Sequence, residues 1–177
     1  FGNYILSRPE PQAVWSKSMS DAEWDKLWHA CFKREKATFD SPEYENGEWI
    51  LRKGMPGQWW INYTYKKMRL KLRLGLTSSK HVGVFPEQSV NWDFIYDCLQ
   101  SQNAQGHSVL NLFAYTGASS LAARSAGALV THVDSVKQVI TWSRENMENS
   151  GRDNIRWVGE DAMKYVLSYQ YEELESK

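Results

Sequence analysis

Cysteine is scarce in this sequence. Cys31 and Cys98 are the two it contains, far apart and in no CxxC pair, which excludes a disulfide framework and a cysteine-ligated metal cluster. Both are expected to be core thiols, since free cysteine behaves as a small apolar side chain, and no metal ligand set is expected. Net charge is lacking as well: 21 Lys and Arg stand against 21 Asp and Glu, so no global basic field announces a nucleic-acid binder. No apolar run approaches the roughly 20 residues that span a bilayer. Phe1 opens the chain without the charged stretch and apolar run of an export signal. A soluble, cytoplasmic protein with no membrane partner is the expectation.

What is present suggests two modules. Hydrophobic residues make up 42% of 177 residues, enough for a packed core, and many of the nine tryptophans and nine tyrosines fall before Gly106. We expect a small α/β module with a linker helix over residues 1–105. Residues 106–177 then begin a second domain that is incomplete at its C-terminus.

Ser20-Asp21-Ala22-Glu23 has the form of a capping box, followed by Trp24, Leu27, Trp28, Cys31 and Phe32 at the spacing of one helix face, which predicts a helix over residues 21–34. Its aromatic stripe reads as core. Residues 48–52 form a short run, and residues 59–76 switch to a period of two, predicting a strand or hairpin. There Met68, Leu70, Leu72 and Leu74 share one side, while Lys67, Arg69, Lys71 and Arg73 share the other, continued by Tyr63 and Tyr65. That basic side is either an RNA-backbone contact or the solvated outer face of an antiparallel sheet. Trp92, Ile95, Tyr96 and Leu99 then recur at helical spacing. His81 and His107 flank this helix without carboxylate or cysteine company, and neither is assigned a role.

From Ser108 the pattern becomes β-α-β-α-β: strands at 109–112, 129–133 and 155–158, helices at 118–126 and 136–149. This order implies a parallel sheet, whose ligands bind beyond the carboxyl ends of the strands. Three polar clusters fall there. In the first, Asn111 to Gly117, a glycine stands where strand turns into helix and backbone amides can face a ligand. In the second, the Asp134 carboxylate can accept from both ribose hydroxyls of an adenosine; alternatively it caps the next helix. In the third, Asp161, or failing that Glu160, can accept from an adenine amino group, or is favoured there by the helix dipole alone.

A nicotinamide cofactor would need GxGxxG at the phosphate turn, and that pattern is missing. Phe113 and Tyr115 would crowd a pyrophosphate yet can border a thioether and an amino acid, which favours S-adenosylmethionine.

The motifs Val-Leu-Asn-Leu-Phe-Ala-Tyr-Thr-Gly (residues 109–117), Val-Asp-Ser (133–135), Glu-Asp-Ala-Met (160–163) and Gly-Val-Phe-Pro-Glu-Gln (83–88) together resemble class I methyltransferases related to the bacterial large-subunit rRNA cytosine-5 methyltransferases. The opening Phe-Gly-Asn-Tyr-Ile-Leu-Ser-Arg-Pro-Glu-Pro-Gln-Ala resembles a branch of that group. This resemblance implies a small α/β module with a β-hairpin or small antiparallel sheet, preceding a partly covered Rossmann-like class I methyltransferase domain. It implies cofactor contacts at Phe85, Gln88, Asn111, Phe113, Ala114, Tyr115, Thr116, Gly117, Asp134, Ser135 and Asp161. Its Asp-Pro-Pro segment and cysteine nucleophile have no match here, so the catalytic residues are expected beyond the visible chain. Residues 164–177 give an ill-defined, tyrosine-rich, acidic end, and three strands do not complete such a sheet. The expectation is an S-adenosylmethionine-dependent methyltransferase acting on rRNA. The alternatives are a nicotinamide-dependent oxidoreductase on the same scaffold and a non-enzymatic RNA-binding protein.

Overall fold

Ser20 opens the first helix as its pattern predicts. Its hydroxyl accepts from the Glu23 amide at 3.4 Å, while the Glu23 carboxylate accepts from the Ser20 amide at 2.9 Å, and α1 (Asp21–Leu27) begins there. The helix stops well short of residue 34. Trp28 is already extended, and Ala30–Arg34 is strand β2. The apolar positions 28, 31 and 32 suit either element, and partners distant in sequence decide between them. Leu6–Ser7 (β1) pairs with β2 in parallel, and Gly47–Leu51 (β3) pairs with it antiparallel, Ala30 opposite Leu51 and Arg34 opposite Gly47. Trp24 and Leu27 are consequently exposed rather than core.

The computed structural model describes residues 1–10, 12–34, 47–103 and 106–175. They divide into two compact units: Phe1–Ile61 with Leu74–Val82, and Asn62–Arg73 with Gly83–Lys177. The first unit buries Ala30 and Phe32 of β2 together with Met55, Trp59, Leu74 and Val82. Phe32 meets Trp49 edge to face at 5.2 Å between ring centroids. Gly47 has no room for a side chain: a Cβ there would stand 2.2 Å from the Lys33 carbonyl oxygen.

The long period-two segment is a hairpin, β4 (Gln58–Tyr65) and β5 (Met68–Gly75), turned by Lys66 and Lys67 with Lys66 at φ 48°. Met68, Leu70, Leu72 and Leu74 are buried as expected. Tyr63 and Tyr65, however, lie on the inward side with them and not on the basic side. A two-residue turn resets the alternation, so odd positions of β4 share a face with even positions of β5, and burial follows that parity. Lys67 sits in the turn itself.

In the second unit, Trp92 and Tyr96 bury one face of α2 (Ser89–Ser101). Strands β6 (Ser108–Leu112), β7 (Leu129–Val133) and β8 (Ile155–Val158) form a parallel sheet in that order, with Leu112 opposite Val133 and Val133 opposite Val158. Helix α3 (Ala118–Ser125) joins β6 to β7, and α4 (Lys137–Asn149) joins β7 to β8. This is the expected mixed α/β architecture. Leu121, Ala122 and Ala123 of α3 are fully buried, and the two alanines let the helix pack closely.

Two further expectations are corrected. The ill-defined end is instead helix α5 (Ala162–Glu175), started by Asp161, whose carboxylate accepts from the Lys164 amide at 3.0 Å. Cys31 on β2 and Cys98 on α2 are half-buried rather than core: Cys31 alternates with the buried Ala30 and Phe32 and so faces the other side of the strand, and Cys98 is turned away from the buried Trp92 and Tyr96 of its helix. Among the described residues no helix is long and apolar enough to cross a membrane.

Candidate functional site

Because the sheet is parallel and in register, the loops after β6, β7 and β8 leave from the same end. Backbone bonds tie them together: the Ala114 amide donates to the Val133 carbonyl at 3.0 Å, and the Asp134 amide to the Val158 carbonyl at 3.1 Å. All three polar clusters therefore start from the carboxyl end of the sheet.

The loop after β6 has an unusual backbone. Phe113 at φ 53°, Tyr115 at φ 50° and Gly117 at φ 88° are all left-handed, and each of the first two costs on the order of 1 kcal/mol. Surrounding side chains hold that shape. The Tyr115 amide donates to the Asp134 carboxylate at 2.9 Å, and the Tyr115 carbonyl accepts from the Ser143 hydroxyl at 2.7 Å. The Thr116 hydroxyl donates to the Gly83 carbonyl, and the Thr116 carbonyl accepts from Asn146 Nδ2 at 2.9 Å.

Gly83 and Gln88 bracket the segment that faces this loop. Gly83 is left-handed at φ 95°, and a Cβ there would stand 2.3 Å from the Trp142 ring. The tight fit brings Phe85 to Tyr115, with ring centroids 5.3 Å apart. Pro86–Gln88 makes one tight helical turn leading into α2.

These elements enclose a cavity of about 360 Å³ lined by Val84, Phe85, Gln88, Trp92 and residues 111–119. Eight expected cofactor residues line it: Phe85, Gln88, Asn111, Phe113, Ala114, Tyr115, Thr116 and Gly117. Asp134, Ser135 and Asp161 are not in the lining. Asp134 stands behind the loop, using one carboxylate oxygen for Tyr115 and the other for the Val136 amide at 2.9 Å. Ser135 is exposed. Asp161 caps α5, and beside it Lys164 pairs with Glu160 at 3.0 Å, holding the Glu160 carboxyl below its usual range.

The expected basic side is uneven. Lys67 and Arg69 are exposed and Lys71 is half-buried. Arg73 pairs with Glu145 at 3.0 Å and lies over the Trp142 ring at 4.4 Å, its side chain 21% exposed. Tyr63 and Tyr65 are taken up by α2, donating their hydroxyls to Asp93 and Asp97, each at 2.8 Å. Burial and the Asp93 carboxylate push the Tyr63 hydroxyl up to about 12.

Sequence reasoning missed the residues behind the loop: His132, Ser143 and Asn146, all fully buried. A signal existed, since polar residues on an apolar strand or an inward helix face stay buried only when hydrogen-bonded. Burial pushes the His132 imidazole down to about 4, so it is neutral near pH 7.

No protein-family model matches the chain. It is similar to the ribosomal RNA large subunit methyltransferases K/L of Shewanella frigidimarina, 31% identical over 108 residues, covering 59% of this chain and 14% of that protein, and of Vibrio cholerae, 35% identical over 79 residues, covering 38% of this chain and 11% of that protein. Among solved structures, a SAM-dependent methyltransferase from Agrobacterium tumefaciens superposes with a TM-score of 0.80 at 35% identity, covering 97% of this chain and 51% of that one. The protein designated SMU.776, crystallised with SAH, has a TM-score of 0.60 at 22% identity, covering 85% of this chain and 37% of its own. The chain thus spans about half of the first structure and a smaller part of the curated relatives. The fold is the mixed α/β, Rossmann-like arrangement of these methyltransferase structures.

Proposed function

We propose that this chain carries the S-adenosylmethionine-binding part of a methyltransferase whose acceptor is large-subunit ribosomal RNA, in the cytoplasm. One observation carries the reading: a single-glycine strand-to-helix loop, bordered by the paired rings of Phe85 and Tyr115, is latched to the Asp134 carboxylate. Such a loop suits an adenosine bearing a thioether and an amino acid, whereas a pyrophosphate needs several glycines for close backbone approach. The similarity to rRNA methyltransferases K/L supports the acceptor.

In this reading Asp134 retains one lone-pair site on each oxygen for the ribose hydroxyls, since a carboxylate offers about four sites and two are used. Asn111, Ala114, Thr116 and Gly117 receive the amino-acid end, with Phe113 and Ser135 at the margin. Asp161 accepts from the adenine, and Phe85 and Gln88 close the other side. The cofactor supplies an electrophilic methyl group. The chain's part is to hold it in line with the acceptor atom and keep water out, which positioning alone makes a large share of the rate. Cytosine C5 as acceptor requires a thiolate that adds to the ring; Cys31 and Cys98 do not line the cavity, so that role falls to neither. Lys67, Arg69 and Lys71 would track the RNA backbone.

Calorimetry tests the reading. S-adenosylhomocysteine should bind with 1:1 stoichiometry while NADH gives no heat. Binding of NADH in its place favours the oxidoreductase, and RNA binding without either nucleotide favours a purely RNA-binding protein.

A further inference from the structure

Behind the cavity loop, four side chains run in series through the interior. Asn111 Nδ2 donates to Ser120 Oγ at 2.8 Å, Ser120 Oγ lies 3.1 Å from His132 Nδ1, His132 Nε2 lies 3.4 Å from Ser143 Oγ, and Ser143 donates to the Tyr115 carbonyl at 2.7 Å. Ser120, His132 and Ser143 are all 0% exposed, so water cannot substitute for a missing link. His132 also packs against Trp157 in a tilted arrangement, with ring centroids 4.7 Å apart and planes 58° apart, which restricts the imidazole.

The far end dictates the direction of the whole series. Ser143 Oγ meets two carbonyls, Tyr115 at 2.7 Å and Val139 at 2.9 Å, and both can only accept, so its single hydrogen goes to them. Its lone pair then faces His132, which must present Nε2–H. A neutral imidazole with Nε2–H leaves Nδ1 as an acceptor, so Ser120 donates there and its own lone pair receives Asn111. A protonated ring would turn Nδ1–H onto Ser120 and strand the serine hydrogen in a dry site.

We propose that His132 is a positioning residue for the cofactor loop: as the neutral Nε2–H tautomer it is the middle link of a one-way relay from Asn111 to the Tyr115 carbonyl. Resting on the methyltransferase reading, this assigns the relay the task of holding Phe113 and Tyr115 in their left-handed shape before the cofactor arrives. Asp134 fixes the amide side of Tyr115, and the relay fixes its carbonyl side. The two peptide planes that flank the Tyr115 Cα are thus each held, which fixes its backbone dihedral angles. The loop is then pre-organised, and binding does not have to order it.

Nitrogen NMR of the imidazole in the full-length protein reads the tautomer directly, and S-adenosylhomocysteine titrations of Ser143→Ala, His132→Gln and His132→Leu read its consequence. His132 should appear as Nε2–H at pH 7. Ser143→Ala, which keeps the volume but cuts the last link, should weaken binding about tenfold at a temperature where the variant is still folded, and the buried groups it leaves unpaired should also lower the melting midpoint of the unliganded protein. His132→Gln can place an N–H toward Ser143 and should stay closer to wild type than His132→Leu. An Nδ1–H tautomer, or wild-type affinity in Ser143→Ala, overturns the relay alone. A wild-type protein that fails to bind S-adenosylhomocysteine overturns the methyltransferase reading and this assignment with it.

Discussion

The carboxylate of Asp134 accepts the backbone amide of Tyr115 at 2.9 Å, so the residue proposed to receive the ribose also shapes the loop beside it. Its replacement removes a charge-assisted hydrogen bond and releases a left-handed tyrosine at once.

Asp134→Ala is expected to weaken S-adenosylhomocysteine binding roughly tenfold to more than a hundredfold, the equivalent of one charged hydrogen bond at about 1.5–3 kcal/mol. Asp134→Asn can keep an acceptor toward Tyr115 and should lose less. Titration calorimetry on the two variants separates ribose recognition from loop support.

Stability should depend on pH through His132. Its folded value is about 4 against an ordinary 6.5, so between those values the unfolded chain takes up a proton that the folded one refuses. The stabilisation is complete above about pH 6.5 and fades as pH falls to about 4, a change on the order of 3 kcal/mol at most. Urea midpoints from pH 7 to pH 4 should fall more steeply for wild type than for His132→Gln; equal slopes contradict the assignment.

Gly83→Ala should be severely destabilising. The added methyl meets the Trp142 ring at 2.3 Å in a left-handed backbone, and overpacking together with the conformational cost amounts to about 2–5 kcal/mol. Chemical denaturation measures it, and a loss below about 1 kcal/mol would show that Trp142 yields freely.

Lys67, Arg69 and Lys71 changed together to Ala should reduce RNA affinity and flatten its dependence on log salt by roughly 2 to 3 units of slope, while S-adenosylhomocysteine binding is unchanged. Arg73 is left out because its pairing with Glu145 and its seat on Trp142 are structural. Filter binding across a salt series gives the slope.

The second half of the chain was legible because strand, turn and helix there alternate with local signals: β7 and β8 have the residues expected of them, and Gly117 turns the chain where a glycine was required. The first half misled where periodicity was ambiguous. Residues 28–34 fit a helix face, yet Leu6 and Ile50 are their neighbours in the sheet, and such pairings leave no mark within a short window. The turn at Lys66 and Lys67 likewise reset the alternation, which carried Tyr63 and Tyr65 to the opposite face. Around the cavity, eight of the lining residues came from motif and turn chemistry, whereas His132, Ser143 and Asn146 act from behind it. Their importance rests on three-dimensional hydrogen bonding that spacing alone does not encode.

Asn146 joins two places that share no sequence signal. Its side chain accepts the Arg73 amide at 2.7 Å and donates to the Thr116 carbonyl at 2.9 Å, so strand β5 and the cavity loop are gripped by one buried amide. Local opening of either releases a partner of the other, and anything that quiets the loop must also slow hydrogen exchange at the Arg73 amide. That amide is therefore a reporter of loop motion, on a strand that does not touch the cavity.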